Sequence, residues 1–292
     1  MSIFNLGSIN IDHVYRVTAL PGPGETVSDK GYASGLGGKG VNQSLAAAAA
    51  GARVLHIGAT GADGRWIAER LRQAGIGTDH LAEIDGATGH AVVCVDDAGE
   101  NQIVIHGGAN RALTEAQIAD ALRTANEGDW FLAQNETNLV ASGFAMARAA
   151  GLRKAYSAAP FDPEMTAQLV DNVDLLAVNQ IEAAQLADHL GVAPECLPVP
   201  ELLITMGAQG ARYQAGGEVH QVAAFAVETM DTTGAGDTFL GAFLAARDQG
   251  EAPHAALRRA AAMAAIQVTR TGAADAIPTG AEVRAFLAEK DR

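Results

Sequence analysis

The 292-residue sequence predicts an α/β fold of three layers, α/β/α, built on a mostly parallel central sheet with a small separate β-sheet as a lid. Three observations point there. Short continuous apolar runs, of the kind buried on both faces, alternate with segments of helical period. Polar and glycine-rich clusters follow several of those runs, where parallel sheets keep their ligands. Two stretches, residues 12–34 and 87–107, interrupt the alternation with extended sequence and turns.

In chain order, the strands expected in the main sheet are Ile3 to Leu6, Val54 to Ile57, Trp130 to Ala133, Ala155 to Ala158, Leu175 to Val178 and Leu202 to Thr205. Helices lie between them. The clearest start is Thr114, with Gln117 three residues on as a capping box, followed by the stripe Ile118, Ala121, Leu122 and Ala125. Gly151 and Gly191 read as helix stops. A late helix carries Phe239, Leu240, Phe243 and Leu244 at helical spacing. In the second extended stretch, HAVVCV, DDAGEN and QIVIH form a hairpin, which suits either a flap over a site or a plain sheet edge. No linker or repeat divides the chain, so residues 1–292 are expected to form a single domain, with residues 12–34 and 87–107 as its lid.

Composition limits the function. Apolar residues make up 48% and charged residues 18%, the balance of an ordinary globular protein. A net charge of −14 argues against nucleic acid as a partner, though a local site can still hold a small phosphorylated ligand. No apolar run reaches the length of a membrane span, and the N-terminus shows no export signal. The two cysteines, Cys94 and Cys196, form no zinc pattern and fit a reducing cytoplasm.

Five clusters carry candidate chemistry. In GSINID, residues 7–12, Asn10 and Asp12 alternate onto one face, suited to sugar hydroxyls or to an Asx turn. In GLGGKGVNQ, residues 35–43, a glycine loop enters an Ala-rich helix; Gly40 after Lys39 and Ala33 make the Walker reading weak, as the absence of GxGxxG does the dinucleotide one. Close backbone approach at Gly37 and Gly38, with Lys39 and Asn42 as polar contacts, remains. In FLAQNET, residues 131–137, Glu136 follows a strand and either binds a hydroxyl or caps the next helix. Asn179 and Glu182 share a face at a helix start, suited to hydrated Mg²⁺ or to capping. Thr205, Gly207 and Gly210 close another strand, in a loop where a nucleotide could rest. Last, DTTGAGDTF at 231–239 sets Gly234, Ala235 and Gly236 before Asp237 at a helix mouth. That is either a capped loop or an anion site whose acid takes a proton from the attacking group.

Taken in order, GSINID, LGGKGVNQ, NQIE, TMGAQG and DTTGAGDTF resemble the ribokinase branch of the PfkB carbohydrate kinase family. The resemblance runs from Ile3 to about Pro278. It implies Asp237 as the base for a sugar hydroxyl and the Gly234, Ala235 and Gly236 amides as the anion hole for the transferred phosphoryl group. It implies Asn10, Asp12, Gly38, Lys39, Asn42 and Glu136 as sugar contacts. ATP would meet Asn179, Thr205, Gly207 and Gly210, with Glu182 and Asn179 near Mg²⁺. Asp231 and the Thr233 carbonyl match the family's K⁺ site, but Ala276 stands where similar proteins often carry Ser. Between Glu182 and Leu202 one helix replaces the usual two. The lid would also form a homodimer contact. The implied reaction is ATP-dependent phosphorylation of a pentose, D-ribose at O5. Nucleoside, deoxyribose and fructose kinases, and a non-catalytic sugar-binding protein, are the alternatives.

Overall fold

A computed structural model describes residues 1–291. The main sheet has nine strands: β1 (Ser2–Leu6), β4 (Arg53–Thr60), β5 (Leu81–Glu83), β8 (Trp130–Gln134), β9 (Arg153–Ser157), β10 (Leu175–Asn179), β11 (Glu201–Thr205), β12 (Ala211–Ala215) and β13 (Glu218–Val222). Their order is β13-β12-β11-β10-β9-β8-β1-β4-β5. From β11 to β5 every pairing is parallel, whereas β12 and β13 add an antiparallel edge. All six expected strands are present, each within two residues of its expected ends except β4, which runs three residues past Ile57 to Thr60. The edge hairpin was not foreseen, because ARYQA and EVHQV lack a continuous apolar run. Its signal was Gly216-Gly217, both at positive φ, the pair that turns a two-residue hairpin.

Alternating side chains feed two cores. On one face Ile3, Trp130, Leu132, Leu175 and Leu203 meet α1 (Lys39–Ala49), α7 (Ala235–Asp248) and α8 (Pro253–Gln267). On the other, Phe4, Leu6, Phe131, Tyr156 and Leu176 meet α3 (Glu115–Leu122), α4 (Val140–Ala149) and α6 (Gln180–Leu190). Burial on both faces is why these strands read as unbroken apolar runs. Helices α1 and α7 touch almost backbone to backbone. A Cβ at Gly241 would lie 2.6 Å from the Gln43 carbonyl oxygen, so only glycine lets the two helix starts come together.

The lid is a separate four-stranded sheet, ordered β3 (Gly31–Gly37), β2 (Asn10–Arg16), β6 (Gly89–Val95) and β7 (Asn101–His106). Its first stretch runs from Asn10 to Gly37, slightly outside the expected 12–34, and residues 17–30 within it form no strand; its second, from Gly89 to His106, lies inside the expected 87–107. The β6–β7 hairpin turns on Asp96, whose carboxylate accepts from the Ala98 and Glu100 amides. One capping expectation is half right. Thr114 caps α3 by accepting from the Gln117 amide, but the Gln117 side chain donates to the Gly58 and His80 carbonyls instead of closing the box.

His56, on β4, is fully buried. Its Nε2 faces the Gly7 carbonyl at 3.1 Å, so Nε2 carries the proton and Nδ1 accepts from Ser44 Oγ. Burial pushes its pKa down to about 4, against the pull of the Gly7 carbonyl. The folded chain therefore binds fewer protons here than the unfolded chain between the ordinary value of 6.5 and about 4. Stability from this site is complete above that window and is lost as pH falls through it, by about 3 kcal/mol in all. Urea unfolding near neutral pH and at about pH 4 should show His56→Gln losing less stability on acidification than the parent by roughly this amount.

Candidate functional site

The starts of α1 and α7 meet beyond the C-terminal ends of β1, β8, β9 and β10, and Asp237 lies at the junction. It sits in the first turn of α7 at 9% exposure. Its side chain does not cap that helix. Oδ1 accepts from Gln43 Nε2 at 2.8 Å, and Oδ2 faces Asn42 Nδ2 at 3.4 Å. Burial pushes its carboxyl above the ordinary aspartate value, and the nearby Glu136 charge adds to that. The Lys39 charge and the bonds from Gln43 and Asn42 oppose it. A raised but donor-held carboxylate suits a general base.

Gln43 is itself held. Its Oε1 accepts from Gln134 Nε2 at 2.8 Å; Gln134 Nε2 also donates to Asn5 Oδ1 at 2.9 Å; Asn5 Nδ2 donates to the Gly40 carbonyl and Ser44 Oγ, each at 2.8 Å. All of these side chains are at most 1% exposed. A backbone carbonyl can only accept, so Gly40 fixes which way every amide points. The chain ends with an N–H aimed at Asp237.

The N-cap of α7 is Gly234, in the left-handed region at φ 73°. Among the described residues, the Gly234, Gly236 and Asp237 amides donate to no backbone carbonyl, while Ala235 donates to the Thr232 carbonyl at 3.2 Å. Of the three amides expected at the anion site, Ala235 alone has a backbone partner, and the Asp237 amide is free beside the other two. These donors line a cavity of about 190 Å³ with Lys39, Ser157 and Thr205. Free amides at a helix start make an anion site.

A second cavity, about 690 Å³, lies between lid and sheet and is lined by Asn10, Glu136, Asn110, Ile105 and His106 among others. Glu136 bridges the two regions: its Oε2 accepts from Ser8 Oγ at 2.5 Å and from the Lys39 amide at 3.0 Å. It does not cap a helix, since Leu139 occupies that position before α4. Asn10 starts β2 and is oriented by Asn110, whose Nδ2 donates to Asn10 Oδ1 at 2.8 Å. Asp12 follows on the same face. Its carboxylate occupies the space a Cβ at Gly37 would need, 2.0 Å from Oδ2. Burial, with help from the Glu136 charge, raises its pKa to about 6. Gly38 caps α1 at φ 97°, and the buried Asn42 Oδ1 has no partner, an acceptor facing no donor of the protein's own.

On the nucleotide side the expectations are met unevenly. Asn179 and Glu182 form a reciprocal capping box at α6: Asn179 Oδ1 accepts from the Ile181 and Glu182 amides, and Glu182 Oε2 accepts from the Asn179 amide. Asn179 thus spends its side-chain oxygen on the helix start. Glu182 keeps Oε1 at the rim of the smaller cavity, enough to meet a hydrated cation through water. Thr205 lines that cavity, but Gly207 and Gly210 do not. Gly210 has a packing reason to be glycine, since a Cβ there would lie 2.0 Å from the Val222 carbonyl oxygen. One helix and a short 3₁₀ turn, Pro194–Cys196, fill the region between Glu182 and Leu202.

The K⁺ expectation does not fit the residues present. Asp231 already accepts from Thr233 N, Thr233 Oγ and Gly272 N, at 2.9, 2.6 and 2.9 Å. Burial works to raise its pKa, and these donors bring it below the ordinary value. The Thr233 carbonyl accepts from Gln267 Nε2 at 2.9 Å, and Ala276 supplies no hydroxyl. Among the described residues, no group of three or more His, Cys, Asp or Glu is placed to hold a metal.

A β-lid over a sheet, an acid behind an amide-lined helix mouth and a polar cavity beside it define a small-molecule phosphotransferase of the sugar kinase class. The chain belongs to the pfkB family carbohydrate kinases, whose sequence model matches residues 2–280. It is 34% identical to a ribokinase of Haemophilus influenzae over 97% of both chains. Among solved structures it is similar to a Cryptococcus neoformans ribokinase in complex with ADP (TM-score 0.83, 32% identity, 97% of this chain and 99% of that one). It is also similar to an Arabidopsis thaliana ribokinase complexed with ribose and ATP (TM-score 0.86, 29% identity, 98% of each chain). A Burkholderia thailandensis nucleoside kinase, at 21% identity and TM-score 0.86, shares the fold.

Ser8, Gln43, Asn110 and Gln267 were not singled out from the sequence. Ser8 and Gln43 stood inside quoted motifs, but nothing in the spacing marks a residue that acts through another.

An acid whose pKa is raised is neutral below that value and ionised above it. The sugar-acceptor role expected of Asp12 therefore predicts binding that weakens as pH falls through about 6. The acid limb of kcat/KM for the sugar should lie near there in the parent and flatten in Asp12→Asn, at the cost of a higher KM. Initial rates across a pH series read both effects.

Proposed function

We propose that the chain transfers the γ-phosphoryl group of ATP to the primary hydroxyl of a pentose, forming D-ribose 5-phosphate from D-ribose. The observation that carries this reading is Asp237: one buried acid stands beside both the free amides of α7 and the Asn42 acceptor. The sugar lies under the lid with its hydroxyls on Asn10, Asp12, Asn42 and Glu136, its primary hydroxyl toward Asp237. Asp237 takes the hydroxyl proton as the oxygen attacks phosphorus. The Gly234, Gly236 and Asp237 amides and Lys39 meet the negative charge on the transferred group, stabilisation fixed before the reaction begins. Gly38 lets the sugar approach the start of α1. ATP lies along Thr205 and the α6 start, with Gly207 and Gly210 shaping the loop beyond. Mg²⁺ bound to the phosphates would neutralise part of their charge, its water shell reaching Glu182.

The ribokinase relatives support ribose as acceptor, and those solved with ADP or with ribose and ATP support the nucleotide. A nucleoside acceptor is the second reading, favoured by the size of the lid cavity, about 690 Å³. Homodimer formation through the lid is supported by β7, whose residues are all exposed and include Ile103, Val104 and Ile105. A cytoplasmic site of action is supported by two free cysteines. No described helix is long and apolar enough to cross a membrane.

Coupled ADP release with ATP and Mg²⁺, tested on ribose, 2-deoxyribose, fructose and adenosine, should show ribose turned over with the highest kcat/KM. Asp237→Asn should lose about a hundredfold or more in kcat with sugar binding retained. Turnover of adenosine alone would move the chain to the nucleoside branch. ADP release unchanged in Asp237→Asn would remove the base assignment. Ribose binding by calorimetry with no turnover of any acceptor would make the chain a non-catalytic sugar binder.

A further inference from the structure

We propose that the side-chain amide of Gln267 takes the place of a monovalent cation beneath the anion-hole loop, so that phosphoryl transfer by this chain needs no K⁺. The inference rests on the reading of residues 234–237 as the phosphoryl site. Gln267 ends α8 and is 1% exposed. Its Nε2 donates to the Thr233 carbonyl at 2.9 Å and reaches the Ala273 carbonyl at 3.5 Å. Both partners can only accept, so the amino end is fixed in this position. Its Oε1 is buried without a partner. An acceptor stranded in this way is held there by the bonds at the other end of the amide.

A cation at this point would need oxygens with free lone pairs turned toward it. The loop offers the opposite. Gln267 donates to the Thr233 carbonyl, and three protein donors already converge on the Asp231 carboxylate. The Gln267 nitrogen also fills the space: a Cβ at Gly234 would lie 3.1 Å from it. Position 276 is Ala, with no oxygen on its side chain.

The amide also does what a cation there would do for geometry. In a trans peptide the carbonyl and the following N–H point in opposite directions. Holding the Thr233 oxygen toward Gln267 therefore aims the Gly234 N–H away from it, into the cavity lined by Gly234, Ala235, Gly236 and Asp237. Gln267 is thus a positioning residue: it touches no reacting atom and acts through the Thr233–Gly234 peptide. A hydrogen bond from a neutral amide needs no ion from solution, so its effect is independent of salt identity.

The test is ADP release with ribose, ATP and Mg²⁺ in KCl and in choline chloride at equal ionic strength, for the parent and Gln267→Met. The unfolding midpoint of each protein in both salts is measured alongside. The methionine side chain has nearly the same length and no donor. The parent should turn over equally in the two salts, within about twofold, and have the same midpoint in both. In choline, Gln267→Met should lose about tenfold or more in kcat while KM for ribose changes by less than about twofold, since the bond serves the transition state and not sugar binding. Parent turnover raised more than about fivefold by K⁺, or a midpoint raised by K⁺ and not by choline, would overturn the proposal. So would a kcat in Gln267→Met equal to the parent's. If Gln267→Met does not fold, Gln267→Asn, whose shorter amide stops short of the Thr233 carbonyl, reads the same two quantities. If the parent phosphorylates no acceptor, the function assigned to the site fails, and the midpoints still decide whether the protein binds K⁺.

Discussion

The structure depends most on keeping one carboxylate ionised in a place largely removed from water. A buried charge without partners is expensive, and left to burial alone Asp237 would take up a proton and lose its use as a base. Its compensation arrives from α1 as directed dipoles. Gln43 donates to Oδ1, Asn42 faces Oδ2, and the Lys39 charge lies on the same helix start. That arrangement requires α1 and α7 to approach within backbone contact, which Gly241 permits. It also requires Gln43 to present its amino end. The relay through Gln134, Asn5 and the Gly40 carbonyl settles this before any substrate arrives. The same network continues through Ser44 to His56, so acid conditions that force a proton onto His56 act on the far end of the chain that orients Asp237.

Around this point the fold separates two tasks. The main sheet and its helices hold the groups that, in the proposed reaction, would meet phosphoryl charge: the α7 amides, Lys39 and the rim at Thr205 and Glu182, which line one cavity. The lid carries Asn10 and Asp12, the contacts proposed for the acceptor, with Glu136 tying the two regions together through Ser8 and the Lys39 amide. Donors fixed on the main sheet and a separate small sheet over the second cavity suit an enzyme that must exclude water when phosphate transfers.

The sequence made the architecture legible where the physical pattern was strong. Continuous apolar strands such as WFLA and LLAV could only be buried on both faces, and both lie in the centre of the sheet. The glycine clusters announced the helix mouths at Lys39 and Ala235. The polar supports were less legible. Gln43 looks like any helix residue, and its role appears only when α7 is laid against it. Asn179 and Glu182 carried a metal-like spacing that is equally a capping box, and hydrogen bonding decided for the cap at Asn179. The K⁺ reading of Asp231 and Thr233 came from the resemblance alone, which shows the loop and not what stands behind it. Gln267, some thirty residues further along, changed its meaning by filling the loop's carbonyl from behind.

The central claim, that oriented amide donation keeps Asp237 ionised despite burial, is tested most directly by NMR titration of ¹³C-carboxyl-labelled aspartate, with Asp237 assigned from its loss in Asp237→Asn. In the parent, Asp237 should titrate above the ordinary aspartate value of 3.8, as its burial dictates. In Gln43→Leu, with the donor gone and the burial kept, its midpoint should move higher still. A midpoint that does not change in Gln43→Leu would mean that the relay orients nothing that matters to the charge, and the account would fail at its base.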